Sequence, residues 1–533
     1  MSRWAARLVL VVLLILTVMG CRKQNAEPEA QDLVRIQSET AGKHSKKIIL
    51  LVVDSLMPKQ IDEGVRRREL PAFRYLIEHG QYYKNMVSSF PTMSVSIDSA
   101  LITGTYPNEH RVPGLIWYSW KDGEVVNYGT GPMEVARQGV RSTLINGIMR
   151  LNGSHLNPKL ATLYEDLARR GQTTGSINGL LYRGLTSHRL DIPGWLRGTA
   201  SLPKEVEVKG PDFLALGTLA NPLEGIASLP DEISDRFGLS NAYSISALNY
   251  LIENGKLPDF LLVYLPDLDQ KIHKKGTNDL DGIKKVDEQL DSVLTRLGSR
   301  NKGSDEVVLM IIGDSGMTDL LPADRNSVVR LPELLKDYRI LKPGEEVTEE
   351  TDIVLAVNET MAYLYKLNPN EKLESIAHKL TADSRVDFVA WKEGEWIRVL
   401  RDQTNRELAY KPGGEMRDRY EQKWTTQGEL SVLDLATDEK GRKLEYGRYP
   451  DALMRLCGAL NSHEGDFLIL TAKPGYELAD RSSPTHEGGG GHGSLGRQES
   501  LVPLILYGTD RKPRYLRIVD LKPFIVSLLT DGK

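Results

Sequence analysis

Four short stretches, far apart in the chain, place acids or histidines beside apolar or glycine-rich runs. They are Ile48-Ile49-Leu50-Leu51-Val52-Val53-Asp54, Asp269-x-x-x-His273, Ile311-Ile312-Gly313-Asp314-Ser315-Gly316 and Gly491-His492-Gly493. Carboxylate oxygens and imidazole nitrogens ligate divalent metals. The carboxyl ends of parallel strands are also where an α/β sheet gathers functional side chains. A fifth stretch, Pro91-Thr92-Met93-Ser94, supplies hydroxyls. A hydroxyl beside a metal can be deprotonated and attack phosphorus or sulfur. Together the five stretches point to a hydrolase with two metal positions and a covalent nucleophile.

Each stretch alone has a plainer explanation. Asp54 and Asp314 suit loop-capping acids at strand ends. Asp269 and His273 share one face only if their segment is helical. Asp267 is a competing carboxylate, and Lys271, Lys274 and Lys275 suit a solvated face. The glycines around His492 suit a flexible loop, and His486 is a rival ligand. Ser94 opens an expected helix, whose N-terminus would favour an anion, yet serine is common at that position for capping alone. Thr92 is the rival nucleophile.

The elements that must position these residues read as a doubly wound α/β fold. Residues 47–54, 259–265 and 306–313 are continuous apolar runs, as expected of strands covered on both faces. Helical spacing recurs at 71–79, 94–101, 160–170, 241–253 and 281–297. The alternation predicts a mostly parallel sheet with helices on both faces. Residues 346–445 break that rhythm and read as an inserted smaller α+β subdomain, with 413–441 as a charged, irregular loop region. The expected organisation is 1–20 signal peptide, 21–46 flexible tether, 47–345 core, 346–445 insert and 446–533 core again.

Composition narrows the class. The 533 residues are 40% hydrophobic and 26% charged, with a net charge of -4. That is ordinary globular composition, without the basic surplus of a nucleic-acid binder. Arg3 and Arg7 precede a short apolar run at 8–18, then Val18-Met19-Gly20-Cys21. This is similar to a bacterial lipobox, which implies export, lipidation of Cys21 and anchoring in the cell envelope. With Cys21 lipidated, Cys457 has no disulfide partner and reads as a small buried hydrophobe in a helix.

Phe90-Pro91-Thr92-Met93-Ser94, followed by Leu101-Ile102-Thr103-Gly104-Thr105-Tyr106-Pro107-Asn108-Glu109-His110, resembles the alkaline phosphatase superfamily, in its type I phosphodiesterase/nucleotide pyrophosphatase branch. The resemblance implies that the nucleophile stands nine residues before Thr103, at Ser94. It implies two divalent metals, usually Zn²⁺: one on Asp269, His273 and His492, the other on Asp54, Asp314, Ser94 and the residue after Asp314. The family has histidine there; this chain has Ser315, in Asp314-Ser315-Gly316-Met317. Serine is a poorer zinc ligand, so a harder ion such as Mg²⁺ or Ca²⁺ is a candidate for that position. Val95 stands where nucleotide-specific members carry an aromatic residue, and Leu115 where they carry asparagine, so no nucleotide substrate is implied.

His110 matches a position that is structural in the family. Trp117, Trp120 and Trp195 could line a pocket or belong to the core. The implied function is a metal-dependent phosphoesterase acting on phosphate mono- or diesters through a phospho-Ser94 intermediate. The alternatives are phospho-headgroup transfer, sulfate or phosphonate ester hydrolysis on the same site, or a non-catalytic ligand-binding lipoprotein.

Overall fold

A computed structural model of the chain describes residues 46–129, 135–137, 139–194, 197, 203–298, 306–401 and 406–530. The expected signal peptide and the expected tether with Cys21, and also Trp195, lie outside the described residues. No helix among the described residues is long and apolar enough to cross a membrane.

The first apolar run forms the strand Lys47–Val53 at the middle of a seven-stranded sheet. The sheet order is Gln81–Val87, Leu501–Tyr507, Val307–Gly313, Lys47–Val53, Phe260–Leu265, Thr174–Ile177 and Phe213–Ala215. Leu501–Tyr507 alone runs antiparallel to its neighbours. The alternation of a strand splits each run between two faces. Ile49, Leu51 and Val53 enter one core, with Ile283, Val286, Leu290, Val293 and Leu294 of the helix Asp281–Arg296. Ile48, Leu50 and Val52 enter the other, with Ile97 and Leu101 of the helix Ser94–Thr103 and Phe524 of the helix Leu521–Thr530. Each fully buried aliphatic side chain contributes roughly 1.5–3 kcal/mol. That two-sided burial makes these runs strands rather than helices.

Register then gathers the acids. Val53 pairs with Gly313 on one side and Leu265 on the other. The residues that follow, Asp54, Asp314 and the Pro266–Asp267 entry to a helix, therefore leave the sheet at one edge. The helix Leu163–Arg169 starts three residues later than expected. Thr162 and Glu165 form a reciprocal capping box that fixes its first turn.

A second sheet of nine strands holds the inserted region. It begins with the hairpin Ile353–Asn358 and Met361–Lys366, whose tip is Glu359-Thr360. It takes its third strand, Phe467–Ala472, from beyond residue 445. The segment expected as an irregular loop, 413–441, is instead largely strand: Arg406–Asp418, Lys423–Gly428 and Leu435–Thr437. Gly413 and Gly414, both at positive φ, sit where the pairing register shifts between Pro412 and Met416. The glycines make a bulge within a strand there, not its end. Cys457 lies buried in the helix Ala452–Leu460, where burial pushes its thiol up to about 11.

Two buried histidines set an acid limit on the fold. His110 and His463 are each held near 3 by burial, against 6.5 for an exposed imidazole. Both stay neutral in the native protein while the unfolded chain takes up protons below pH 6.5. The stability these two histidines contribute is therefore complete above that pH and falls as pH drops toward 3. By about pH 4 each histidine costs about 3 kcal/mol. Denaturant midpoints measured from pH 7 downward should fall steeply. His110→Asn keeps an acceptor for the Val112 N–H that His110 Nδ1 now accepts, and should give a shallower decline.

Candidate active site

Ser94 is the first residue of the helix Ser94–Thr103, and Met93 occupies the capping position. The Ser94 hydroxyl is thus not spent on capping: Oγ faces Asp54 Oδ1 at 3.5 Å. Thr92, the rival, is fully buried and engaged. Its hydroxyl accepts the Gly493 N–H at 2.8 Å and donates to the Ser494 carbonyl at 3.3 Å. The segment before Ser94 is held from behind by buried Arg455, which donates to the Ser89 carbonyl at 2.7 Å and to Ser500 Oγ at 2.8 Å.

Asp269 and His273 lie on the helix Asp267–Lys275, so their four-residue spacing does place them on one face. Asp269 Oδ1 is 3.3 Å from His273 Nε2 and 3.7 Å from His492 Nε2. Each imidazole is fixed by its other nitrogen. His273 Nδ1 donates to the Gly490 carbonyl at 2.8 Å, and His492 Nδ1 to the Thr92 carbonyl. A backbone carbonyl can only accept, so Nδ1 carries a proton and Nε2 is the nitrogen left to bind a metal. That is the tautomer and orientation a metal requires. The glycine run is close packing, not slack. A Cβ on Gly489 would lie 1.9 Å from the His273 carbonyl oxygen, and one on Gly493 2.4 Å from that of Asn358.

His486 lies behind His273, their ring centroids 4.3 Å apart, and its Nδ1 faces Glu477 Oε2 at 3.4 Å. Two groups among the described residues have metal-ligand spacing, and they share His273: Asp269, His273 and His492, and His273, Glu359 and His486. Without a metal, the Glu359 and Asp269 carboxylates raise the His273 imidazole well above its usual value, against the pull of burial. The charge and spacing of this donor set fit a divalent cation.

The second expected position is oxygen-only. Asp54 Oδ2 accepts the Tyr264 hydroxyl. Asp314 Oδ1 accepts the Ser55 and Ser315 N–H groups at 2.9 and 2.6 Å, while its Oδ2 is buried without a hydrogen-bond partner. Ser315 is fully buried, and its Oγ lies 3.3 Å from Ser55 Oγ, which donates to Asp269 Oδ1 at 2.8 Å. A pair of serine hydroxyls thus stands where the family's histidine is expected. Burial, then the Asp314 and Asp269 charges, push Asp54 well above the usual carboxylate range. Burial and Asp314 do the same to Asp98, whose buried Oδ1 also has no partner. Orphaned carboxylate oxygens in a buried, electronegative cluster fit a bound cation, and an all-oxygen set fits a hard one.

Sequence reasoning missed three participants. Asp98 follows Ser94 by one helical turn, and that spacing was a usable signal. Tyr264 stands next to last in a buried strand, where its hydroxyl needs a polar partner. Glu359 had no local signal: it lies at a hairpin tip in the other sheet. Its Oε1 is 3.7 Å from His273 Nε2 and 3.8 Å from His492 Nε2. Trp117 packs against His155 and His463, and Trp120 is exposed.

The family model for type I phosphodiesterase/nucleotide pyrophosphatase matches residues 48–495. Among solved structures, murine ectonucleotide pyrophosphatase/phosphodiesterase 5, in an inactive form in complex with AMP, superposes with a TM-score of 0.52 at 12% identity, covering 91% of this chain and 95% of that one. The human protein of the same name gives 0.52 at 14% identity, with the same coverage. At such identities the likeness is one of fold. The ATP-dependent zinc metalloprotease FtsH 1 of Phytoplasma mali (strain AT) is 23% identical over 232 residues, 40% of this chain. The match spans only 37% of that protein's length. This sequence has neither His-Glu-x-x-His nor Gly-x-x-x-x-Gly-Lys-Ser/Thr, the motifs that zinc proteolysis and P-loop ATP binding use. With its two carboxylate and histidine clusters at the carboxyl edge of a mainly parallel sheet, the chain belongs to the type I phosphodiesterase/nucleotide pyrophosphatase family, phosphoric ester hydrolases of the alkaline phosphatase superfamily.

Proposed function

We propose that the protein is a metal-dependent phosphoesterase in which Ser94 is the nucleophile. The observation that carries this is the Ser94 hydroxyl at a helix N-terminus, facing Asp54 and free of capping duty. Asp269, His273 and His492 would hold one divalent ion; Asp54, Asp314 and Ser94 would hold the other, with Ser315 beside it. Bound divalent ions lower the pKa of an attacking oxygen and neutralise phosphoryl charge. Ser94 Oγ attacks phosphorus in line, the ester P–O bond breaks, and the serine proton ends on the departing alcohol. Water then attacks the phosphoserine, releasing phosphate or a phosphomonoester and restoring the hydroxyl. The N–H groups of the first helical turn bear charge on the phosphoryl oxygens. Tyr264 holds the Asp54 carboxylate in place through its hydroxyl.

The N-terminal signal and Cys21 support an exported, lipid-anchored enzyme of a bacterial envelope, with phosphate esters within reach of the membrane surface as substrates. The reaction class is tested on metal-loaded protein with aryl phosphate monoesters, aryl phosphate diesters and aryl sulfate esters. Turnover of either phosphate class above the sulfate is expected; sulfate turnover alone would overturn the assignment.

Metal content follows from the donor sets. The imidazole-bearing position suits zinc, whereas the all-oxygen position does not retain it. Elemental analysis of the purified protein should therefore give about one zinc per chain. Two zinc ions per chain would contradict the weakened second position.

A further inference from the structure

We propose that Glu359 is a fourth protein ligand of the metal held by Asp269, His273 and His492, supplied by the inserted sheet. The family resemblance implies three protein ligands here. Zinc bound at 2.0–2.1 Å by four tetrahedral ligands sets their donor atoms about 3.3–3.4 Å apart. Asp269 Oδ1 to His273 Nε2 is 3.3 Å, and Asp269 Oδ1 to His492 Nε2 is 3.7 Å. Glu359 Oε1 stands 3.7 and 3.8 Å from the same two nitrogens. These four of the six separations thus lie within about half an ångström of the spacing one ion would impose, and Glu359 also shares ligand spacing with His273 and His486.

The backbone around Glu359 is built to hold it there. Glu359 is the first residue of a two-residue hairpin tip and adopts φ 56°, a conformation ordinarily left to glycine or asparagine. Both neighbours are pinned. Asn358 Oδ1 accepts the Leu115 and Ile116 N–H groups at 2.8 and 3.1 Å. Thr360 donates its N–H to the His492 carbonyl at 3.1 Å and its hydroxyl to Glu499 Oε2 at 2.9 Å. Glu359 Oε2 accepts the His492 N–H at 3.1 Å, which leaves Oε1 for the imidazole pair. A glutamate in a strained turn, with one oxygen spent on orientation and the other facing two imidazole nitrogens, is placed as a ligand. The insert thereby acquires a role: it supplies a ligand that the core sheet does not.

The inference rests on the metal-binding part of the proposed function, and zinc binding separates the two. Zinc affinity is measured by chelator competition on the full chain, with Co²⁺ substitution read by visible absorption. Two variants are compared with wild type. Glu359→Gln keeps an acceptor for the His492 N–H but is a poor ligand. Glu359→Gly suits the positive φ, so the hairpin should fold. Both should bind zinc at least about tenfold more weakly, and both cobalt spectra should shift from that of wild type as water replaces a carboxylate. If Gln alone restores wild-type affinity and spectrum, Glu359 only positions His492 and the inference is overturned. Variants that match a zinc-binding wild type also overturn it while leaving the proposed function standing. A wild type that binds no zinc, while His273→Ala changes nothing, removes both.

Discussion

Ser94→Ala is expected to lower turnover of the best phosphate ester by at least about a thousandfold, with little change in substrate affinity or thermal stability. The stability expectation follows from geometry. The Ser94 hydroxyl makes one long contact, 3.5 Å to Asp54, and caps nothing. Its loss leaves no buried donor stranded. The activity expectation follows because the other nearby hydroxyl, Thr92, is buried and committed to Gly493 and Ser494. Thr92 cannot turn toward phosphorus without releasing the loop that carries His492. Steady-state kinetics beside a melting curve checks both halves. Near-wild-type turnover would sink the nucleophile assignment; lost activity with a collapsed melting temperature would show a structural role instead.

Chelation is expected to be as severe as losing the nucleophile, and it should also destabilise the fold. At a free metal concentration a thousandfold above the dissociation constant, a bound ion stabilises the native state by about 4 kcal/mol. Stripping it leaves Asp269 and Glu359 to be balanced by a proton on His273. His273→Ala removes that balance as well as a ligand. It should therefore melt below the chelated wild type, and added zinc should restore neither its stability nor its activity. Calorimetry of wild type and variant, each with chelator and with zinc, checks this. A zinc-dependent shift retained in His273→Ala would show that the ion binds elsewhere.

The parts of the site that were legible in the sequence are those built by local periodicity. Asp54 and Asp314 end uninterrupted apolar strands, and parallel pairing puts the ends of such strands together. Asp269 and His273 follow the helical repeat within a single helix. The glycines around His492 were visible, but their purpose was not. A flexible loop and a tightly packed one have the same composition, and only the His273 and Asn358 backbones decide between them. Glu359 was illegible because its bond to His492 spans 133 residues and joins a hairpin tip of the second sheet to the glycine-rich loop. Its neighbours Asn358 and Thr360 read as ordinary turn residues. The charged stretch at 413–441 reads as loop because most of its charges fall between strands, while Glu415, Arg417 and Lys423 occupy exposed strand positions. Alternation there is masked by the Gly413–Gly414 bulge, which breaks the period of two. Ser315 was legible as a departure, but its pairing with Ser55 was not, because the two belong to different strand ends.

The central claim is a covalent phosphoenzyme on Ser94. Wild-type protein incubated with an aryl phosphate ester, quenched in acid during turnover and digested, should yield one phosphorylated peptide. Fragmentation should place the phosphate on Ser94, and the same peptide from Ser94→Ala should be unmodified. Phosphate on Thr92, or active turnover with no phosphopeptide under conditions that accumulate the intermediate, would contradict the account.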